Sequence, residues 1–435
     1  MKIGVFGSYN GASIGDHAIL EGILTQFRLV IDACQFVVFA TDSEATYKLL
    51  VSNTGVHVIQ GIPVSRSSTV GTSEGEKAKR FQRVKQVLRR RVSRLPLQIA
   101  DFVRFLYDIT RDMVALSKVS FWWQIWKEMR TLDILLIGGG NLLMDLYRRW
   151  PIYPLIYTLL AKWAGIPVMF YAVGAGPFQT RLGRFYLRLA SQMADILTFR
   201  DQDSLEIVAK TLGVQRKKLV LSADPAFCIR WQKHVSHARV NERLRITMTL
   251  VSYHRPGYWP RSKVARYKKY REAMIQTIQY ILKKMDAELV FFATNTADIV
   301  VAKEIATIIN IPERIKVIEK RLTVQDILSL VADSQLMIGT RLHSLILSFV
   351  VSTPALAFAY QPKVQSLYER VGMETYVINL DHYIDMPLPD NIVHLLRKMF
   401  SSKQEIQFNM QQMVKQLQQD AKVSVNLAMQ LMEKK

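Results

Sequence analysis

The sequence contains little cysteine and no long uninterrupted apolar run. Among its 435 residues the two cysteines, Cys34 and Cys228, stand apart in apolar segments. They indicate buried free thiols rather than a disulfide framework, and therefore a reducing, cytoplasmic environment. A membrane span needs about 20 apolar residues, but the most apolar stretches are interrupted, residues 151–176 by Lys162 and residues 345–361 by proline. We therefore expect a protein that is soluble or bound at a membrane surface.

Metal-ligand patterns are absent from the sequence as well. The 8 histidines are scattered along the chain, and the two cysteines are far apart. Zinc sites usually show closely spaced ligand pairs. The sequence therefore predicts neither a metal site nor a bound cofactor.

Acidic residues are outnumbered, because 36 Asp and Glu stand against 58 Lys and Arg, which gives a formal net charge of +22. An excess of this size indicates anionic substrates, polyanions or an anionic surface as partners. Part of it lies in Lys77–Arg94, which carries nine basic and no acidic residues and has apolar residues at helical spacing. A group of aromatic residues follows, including Phe121, Trp122, Trp123 and Trp126.

This basic and aromatic region has three interpretations. It is a helical hairpin that packs on the fold, a surface that binds anionic lipid, or a nucleic-acid site. No zinc-finger spacing or RNP-type strand supports nucleic acid, which we do not expect as a partner. We predict peripheral, salt-sensitive binding of residues 77–126 to an anionic membrane surface, with Trp122 and Trp123 in the headgroup layer. The packed hairpin is the alternative.

Short buried strands alternate with helical patterns along most of the chain, as in parallel sheets. The alternation runs from Lys2 to Ser222, pauses in a polar stretch at 231–243, and restarts at Arg245. Two such halves predict an α/β fold of two Rossmann-like, doubly wound domains that face each other across a cleft. The predicted parts are an N-terminal domain at 1–235, with a basic helical insertion at 64–130, a C-terminal domain at 243–390, and terminal helices at 391–435.

Glycines follow the first strand in the segment GSYNGASIGDHAIL, residues 7–20. Glycine lets backbone N–H groups approach a ligand closely, and a helix N-terminus favours an anion. Asp16 closes this loop and is either a helix cap or a carboxylate that acts on the substrate. The spacing does not match the G-x-G-x-x-G fingerprint of dinucleotide-binding proteins.

A second glycine motif, LLIGGGNLLMDLY, follows another buried strand. Its consecutive glycines, which include Gly139 and Gly140, leave room for a ligand against bare backbone. Asn141 and Asp145 are candidates for binding sugar hydroxyls, and the alternative is a tight strand-to-helix turn. A third motif, YAVGAGPF at 171–178, also opens at the carboxyl end of a strand, where ligands bind in open α/β sheets.

Arg200 and Asp224 stand directly after two later strands. Arg200, in the motif LTFRDQDSLEIV, is positioned either to reach the cleft or to pair with Asp201 or Asp203. Asp224, in the motif SADPAF, precedes a proline and is interpreted as a turn residue with a structural role.

The segment MIGTRLHSLILS, residues 337–348, carries the strongest chemical signal. Arg341 offers a planar cation that matches a carboxylate or phosphate, and His343 exchanges a proton near neutral pH. Both follow a buried strand at the start of an apolar helix, where an arginine without an anion would be costly. Lys363, after the next strand, would lie on the same rim. We expect an anion-binding and acid–base site here.

Taken in order, the motifs resemble those of the polysaccharide pyruvyl transferase family. They are Gly-Asp at the end of the first loop, Gly-Gly-Gly, Gly-x-Gly-Pro, Arg-Asp-x-x-Ser, Asp-Pro-Ala-Phe, and Arg-Leu-His with a downstream Tyr-x-x-Lys. The resemblance extends over residues 1–375 and implies a glycosyltransferase fold B, with the active site between two Rossmann-like domains.

The resemblance also implies a reaction. Family members transfer pyruvate from phosphoenolpyruvate to sugar hydroxyls, usually as a cyclic ketal, with release of phosphate. By the resemblance, Arg200, Arg341 and Leu342 would bind phosphoenolpyruvate, and His343 would be the catalytic histidine. The acceptor would be a surface polysaccharide or its lipid-linked precursor, and the resemblance therefore implies that the predicted membrane contact is at the inner face of the cell membrane.

One motif departs from the family pattern. The first loop usually reads Asn-x-Gly-Asp, whereas Ser13 stands at the position of the asparagine here. Asn10 is the candidate that replaces it in contacting the acceptor. The predicted acceptor-binding set is Asn10, Gly139, Gly140, Asn141 and Asp145.

Two other functions stay open. One is a fold-B glycosyltransferase with a nucleotide-sugar donor, although no convincing Glu-rich ribose motif follows Tyr360. The other is a non-catalytic basic protein that binds membranes or polyanions. The three functions differ in what they release. A pyruvyl transferase releases phosphate from phosphoenolpyruvate, and a glycosyltransferase releases a nucleoside diphosphate. A non-catalytic protein shows salt-dependent binding without turnover.

Overall fold

Two parallel β-sheets, each alternating with helices along the chain, organise the computed structural model. The structure describes residues 1–50, 54–62, 109–110, 113, 116–231, 243–259 and 262–434. The basic helix predicted at 77–94, and most of the insertion predicted at 64–130, lie outside the described residues.

Within the described residues, the first sheet has seven parallel strands in the order β3-β2-β1-β4-β5-β6-β7. The strands are β1 Lys2–Phe6, β2 Gln35–Ala40, β3 Val56–Gln60, β4 Ile134–Gly138, β5 Val168–Val173, β6 Ile196–Phe199 and β7 Leu219–Leu221. The helices are α1 Ile14–Arg28, α2 Ser43–Leu50, α3 Val119–Met129, α4 Ile152–Trp163, α5 Arg181–Met193 and α6 Gln202–Leu212, with 3-10 turns at Arg216–Lys218 and Pro225–Cys228.

The second sheet has six parallel strands in the described part of the chain, in the order β10-β9-β8-β11-β12-β13. The strands are β8 Leu244–Thr249, β9 Ala287–Phe292, β10 Ile315–Val317, β11 Leu336–Gly339, β12 Ala355–Ala359 and β13 Val377–Asn379. The helices are α7 Val264–Lys284, α8 Thr296–Ile309, α9 Val324–Ala332, α10 Leu342–Val350, α11 Pro362–Arg370, α12 Leu380–Tyr383, α13 Pro389–Ser401 and α14 Lys403–Glu433, with a 3-10 turn at Glu374–Tyr376.

The predicted fold class of two doubly wound α/β domains is confirmed. The central strands β4 and β5 are buried at every position, which explains their continuous apolar sequence, because helices cover both faces of a parallel sheet. β13 was not predicted. It has three residues and lies at the edge of its sheet, where it pairs with β12, so its sequence shows no apolar run.

The long helix α14 connects the second domain to the first. Near its start, Gln407 donates a hydrogen bond to the carbonyl of Ser352, 2.9 Å away. Near its end, Oγ of Ser424 lies 2.8 Å from the hydroxyls of both Thr198 and Ser222. The helix therefore spans both domains and holds one against the other. Among the described residues no helix is long and apolar enough to cross a membrane.

The strand order reverses once in each sheet, between β1 and β4 and between β8 and β11. Open α/β sheets bind ligands at such switch points, beyond the carboxyl ends of the strands. The loop after β1 reaches the second domain, since the amide of Ile14 donates to the carbonyl of Thr294, 2.8 Å away, and Ser13 forms a β-bridge with Asn295. The two switch points thus face each other across one cleft.

Candidate active site

His343 stands in the first turn of α10 and points at the N-terminal domain. Its ring packs against the backbone of Gly15 at the start of α1, where an added Cβ would lie 2.7 Å from Cγ of His343. On the other edge of the ring, Nε2 lies 3.5 Å from Oδ2 of Asp224 and has no hydrogen-bond partner among the described residues. The imidazole is therefore positioned between a helix N-terminus and a carboxylate, and Gly15 is required to admit it.

Asp224 is the carboxylate that connects the histidine to Arg200. It caps the 3-10 turn by accepting a hydrogen bond from the amide of Ala226, 3.0 Å away, and it accepts another from Nη1 of Arg200 at 2.9 Å. Burial alone would raise the pKa of Asp224, but His343, Arg200 and the Ala226 amide together hold it well below its usual range. The interpretation of Asp224 as a turn residue is correct but incomplete, because the same side chain belongs to the cleft.

Arg200 follows β6 and is buried, as expected for a residue at the carboxyl edge of the sheet. Its guanidinium lies against Gly174, where an added Cβ would be 3.0 Å from Nη2 and 2.9 Å from Oδ1 of Asn141. The predicted alternative, a pair with Asp201 or Asp203, is confirmed for Asp201 as a longer ion pair, although Asp224 is the nearer carboxylate. Asp201 lies 3.6 Å from Nε and caps α6, while Asp203 accepts a hydrogen bond from the second domain.

Arg341 caps the start of α10 and is clamped by Asp298. Nε and Nη2 donate to the two carboxylate oxygens at 2.8 and 3.0 Å, and Nη1 donates to the hydroxyl of Tyr360 at 3.2 Å. Although burial works against the charge, Tyr360 and Asp298 keep the pKa of Arg341 well above its ordinary value. The buried arginine was expected to need an anion, and the protein itself supplies one in Asp298.

Lys363, in the first turn of α11, is the third cation of the cleft. In the part of the chain that the structure describes, it makes no side-chain hydrogen bond or ion pair. Burial, and then the positive charges of Arg200 and Arg341, lower the pKa of Lys363 to about 7, against the smaller opposing effects of Asp16 and Asp201. A lysine held between two arginines without a bonded carboxylate is a candidate for binding an anion.

Leu342 supplies the apolar part of this region. Its buried side chain lines the same pocket as Arg200, Asp224 and Lys363. The structure therefore brings Arg200, Leu342 and Lys363 to one pocket, whose Asp224 lies 3.5 Å from His343, and Arg341 directly precedes Leu342.

Asp16 lies in the first turn of α1 and not at its cap. The helix begins at Ile14, with Ser13 at the cap position, so the interpretation of Asp16 as the helix cap is wrong. Burial raises the pKa of Asp16, and the charge of His343 and a hydrogen bond with Ser13 offset part of that increase. One carboxylate oxygen faces Gly140, where an added Cβ would lie 3.3 Å away. A carboxylate of raised pKa is a stronger base than an exposed one.

The predicted acceptor-binding residues divide into two groups. Gly139 and Gly140 both have positive φ, 72° and 73°, and Asn141 donates a hydrogen bond to the carbonyl of Gly176 at 2.7 Å beside Arg200. Gly140 and Asn141 lie at the cleft, whereas an added Cβ on Gly139 would lie 1.8 Å from the Ile19 side chain, so that glycine lets α1 pack on β4. Asn10 is exposed, and its side chain accepts a hydrogen bond from the amide of Ala12 at 2.9 Å.

Asp145 does not face an acceptor. Its side chain is 1% exposed, and its two oxygens accept hydrogen bonds from the amides of Gln179 and Thr180 and from the Thr180 hydroxyl, at 2.8 Å. Because both oxygens of this carboxylate already accept hydrogen bonds from Gln179 and Thr180, the side chain holds the loop before α5 in place. The predicted role of Asp145 in binding sugar hydroxyls is therefore corrected to a structural one.

Sequence reasoning missed two residues that hold the site, the partners of the two arginines. Asp224 was recognised as a motif but assigned to a turn, although its position after β7 places it on the edge that carries Arg200. Asp298 follows β9 in the run TNTADIV, and its position at the carboxyl end of a strand was the available signal. Tyr258 was missed as well, and its hydroxyl lies 3.4 Å from Nη2 of Arg341. Among the described residues no group of three His, Cys, Asp or Glu side chains could hold a metal ion.

The two domains and their cleft define a protein of the glycosyltransferase fold-B type. HepE of Anabaena, solved in complex with UDP, has a TM-score of 0.56 to this chain over 99% of both chains at 10% identity. A glycosyltransferase of Rickettsia africae has a TM-score of 0.55 over 100% of both chains, also at 10% identity. At this identity the likeness shows the fold alone.

The chain belongs to the polysaccharide pyruvyl transferase family, whose model matches residues 14–362. It is similar to the amylovoran biosynthesis protein AmsJ of Erwinia amylovora, with 23% identity over 282 residues. That alignment covers 60% of this chain and 65% of AmsJ, slightly less than two thirds of the relative. The family predicted from the ordered motifs is confirmed.

Proposed function

We propose that this protein transfers pyruvate from phosphoenolpyruvate to sugar hydroxyls of a surface polysaccharide or its lipid-linked precursor, forming a pyruvate ketal and releasing phosphate. The observation that carries the proposal is the cluster of Arg200, Arg341 and Lys363 beside His343 at one cleft. Family membership supports the class of reaction. The choice of donor and the ketal product are our inference from the chemistry of these residues.

The charges of the cluster fit a small dianionic donor. Arg200 and Arg341 each have a carboxylate of their own, whereas Lys363 has no bonded carboxylate among the residues described. Its lowered pKa means that the surroundings of Lys363 disfavour a further positive charge. A ligand with a carboxylate and a phosphate would add negative charge and so favour the protonated form of Lys363. The two arginines still have N–H groups that can donate to such a ligand.

His343 is the proposed proton donor to the methylene carbon of phosphoenolpyruvate. Protonation there creates an oxocarbenium-like centre, which a sugar hydroxyl attacks. Asp224, 3.5 Å from Nε2, stabilises the protonated imidazole before the transfer and orients the ring during it. The same histidine, once deprotonated, can accept a proton in a later step.

Asp16 is the proposed base on the acceptor side. Its carboxylate faces Gly140, next to the bare backbone where a sugar would lie, and its raised pKa suits it to take a hydroxyl proton. A second hydroxyl of the sugar then attacks the same carbon as the bond from that carbon to the phosphate oxygen breaks, which closes the ketal. The proton of this hydroxyl returns to His343, and phosphate carries away the proton that Asp16 took up. We propose that Gly140 and Asn141 contact the acceptor, with Asn10 at the rim of the cleft.

The test is phosphate release from phosphoenolpyruvate in the presence of lipid-linked oligosaccharide acceptors, with mass spectrometry of the products. The proposal predicts an acceptor that gains the mass of a pyruvate ketal while phosphate is released in equal amount. Parallel reactions with nucleotide sugars serve as the control. Release of a nucleoside diphosphate without turnover of phosphoenolpyruvate would make the protein a glycosyltransferase, and binding of polyanions without any turnover would make it non-catalytic.

A further inference from the structure

Three tryptophans from two helices form an exposed stack on the first domain. Trp123 and Trp126 of α3 lie with ring centroids 4.7 Å apart, and Trp126 stacks on Trp163 of α4 at 4.6 Å. Two cations border the stack, because Lys127 lies 5.8 Å from the Trp123 ring and Arg130 lies 5.1 Å from that of Trp126. We call these five residues the tryptophan patch.

The patch is not part of the core. The opposite face of α3, formed by Trp122, Ile125 and Met129, packs inward on the first sheet. By contrast Trp163 is 64% exposed and Trp123 is 45% exposed. Large aromatic side chains left in water at one place indicate an interaction surface. Trp122 is 6% exposed, so its predicted entry into a headgroup layer is wrong.

We propose that the tryptophan patch docks this protein on an anionic membrane surface. Tryptophan suits the boundary between headgroups and acyl chains, since one part of the indole is apolar and the other donates a hydrogen bond. Lys127 and Arg130 complement an anionic headgroup layer. The neighbouring acid on α3, Glu128, is neutralised by Lys2 at 2.8 Å, so the border of the patch is positive. The formal net charge of +22 acts in the same direction.

The position of the patch leaves the cleft open during docking. α3 leads into the start of β4, and α4 ends at Trp163 shortly before the start of β5. The patch therefore lies towards the amino edge of the first sheet, whereas His343 and Arg200 meet at the carboxyl edge. A lipid-linked acceptor would extend from the membrane around the side of the domain, and a soluble substrate would enter freely. The surface is independent of the proposed reaction and can be tested without turnover.

The experiment is co-sedimentation of the full chain with phosphatidylcholine vesicles at low and high salt. The vesicles contain either no phosphatidylglycerol or about 30 mole per cent of it, as the source of anionic headgroups. We expect wild type to bind the anionic vesicles at low salt. The double variant Trp123→Ser/Trp163→Ser should lower the partition coefficient by about tenfold or more. Lys127→Glu/Arg130→Glu should lower it by about fivefold for each cation.

The control is Phe185→Ser/Phe408→Ser, which removes two aromatic side chains of similar exposure, 58% and 61%, elsewhere on the surface. It should bind as wild type does. Tryptophan fluorescence with brominated lipid gives a second readout, because quenching should decrease in the Trp123→Ser/Trp163→Ser variant. Thermal melting checks that each variant is folded.

Three outcomes would overturn the proposal. Wild type that binds no vesicle removes the membrane as the partner. If the tryptophan variant binds as well as wild type and Arg89→Glu/Arg90→Glu/Arg91→Glu abolishes binding, the membrane contact is made by Lys77–Arg94 and not by the tryptophan patch. If wild type is a dimer, and the tryptophan variant is a monomer that still binds vesicles as wild type does, the patch binds a second copy of the chain and not a membrane.

Discussion

The two arginines of the cleft are bound by carboxylates that differ in their other contacts. Arg200 donates to Asp224, and the same oxygen of Asp224 lies 3.5 Å from His343. Arg341 is bound by both oxygens of Asp298, with Tyr360 as a further partner. In the first domain, one carboxylate therefore contacts both a proposed anion-binding arginine and the proposed proton donor. In the second, the carboxylate serves to fix the arginine.

This difference shows that the charge of an arginine does not by itself define its role. Both arginines are neutralised within the protein, and it is Lys363, with no bonded carboxylate in the described residues, that leaves positive charge for a ligand. We therefore propose that the two arginines supply direction and hydrogen bonds to the ligand, and that Lys363 supplies the net charge. Changing one residue of each group should separate these contributions.

The largest effect on the reaction rate is expected from His343, the proposed proton donor beside Asp224. His343→Ala removes the proposed proton donor but leaves both arginines with their carboxylates. We expect the rate of phosphate release to fall by about 10²–10⁴-fold, with little change in the affinity for phosphoenolpyruvate. Steady-state kinetics and calorimetry measure the two quantities. Activity within threefold of wild type would remove His343 from the mechanism.

Gly15→Ala tests the position of the histidine without removing it. The added methyl would overlap the His343 ring, whose Cγ would be 2.7 Å away, and would displace it from Asp224. A misplacement of this kind costs on the order of 10²-fold in rate. We expect kcat to fall while KM for phosphoenolpyruvate stays nearly constant. A parallel loss of both, or a melting temperature far below that of wild type, would show a general distortion instead.

The stability of the two arginine sites should also differ. Arg341→Ala leaves Asp298, which is 1% exposed, with the hydrogen bond from the Ser252 amide at 2.7 Å but without both of its guanidinium contacts, and breaking a buried pair costs about 3–5 kcal/mol. Arg200→Ala leaves Asp224 with the Ala226 amide and with the imidazole of His343, 3.5 Å away. Thermal melting should therefore show the larger loss for Arg341→Ala.

The matched control for this comparison is Arg216→Ala, which breaks an exposed pair with Glu206. Exposed pairs contribute about 0–1 kcal/mol, so its melting temperature should stay close to that of wild type. If Arg200→Ala were the less stable of the two cleft variants, the proposed support of Asp224 by His343 would be incorrect.

The smallest effect concerns pH. The pKa of Lys363, lowered to about 7, means that its cation is present below pH 7 and is lost as the pH rises through that value. The affinity of wild type for phosphoenolpyruvate should therefore fall above pH 7, by up to about tenfold per pH unit. Lys363→Arg keeps its charge and should remove this slope. The ligand phosphate titrates near pH 6 in both proteins, so the difference between them is the measured quantity. Equal slopes would exclude Lys363 as the titrating group.

Much of the fold was predictable because parallel strands buried on both faces are continuous apolar runs. The strands from β4 to β6 have such sequences. Arg200, Arg341 and His343 were predictable too, because each directly follows a strand and the carboxyl ends of parallel strands share one edge. The motif order added the family.

The partners within the site were not predictable from the sequence. Asp298 and Arg341 are 43 residues apart, and Asp224 and Arg200 are 24 apart, so each pair forms through the order of the strands and not through local spacing. The isolation of Lys363 depends on which carboxylates are already occupied. The tryptophan patch has the same origin, since Trp163 joins Trp123 and Trp126 through the packing of α3 on α4.

Calorimetric titration with phosphoenolpyruvate tests the central claim most directly. The claim is that the donor binds between Arg200 of one domain and Arg341 of the other. Each contact to a charged group contributes about 1.5–3 kcal/mol, so Arg200→Ala and Arg341→Ala should each weaken binding by about 10- to 150-fold. Dissociation constants that are unchanged in both variants would contradict the account, because the anion would then bind elsewhere.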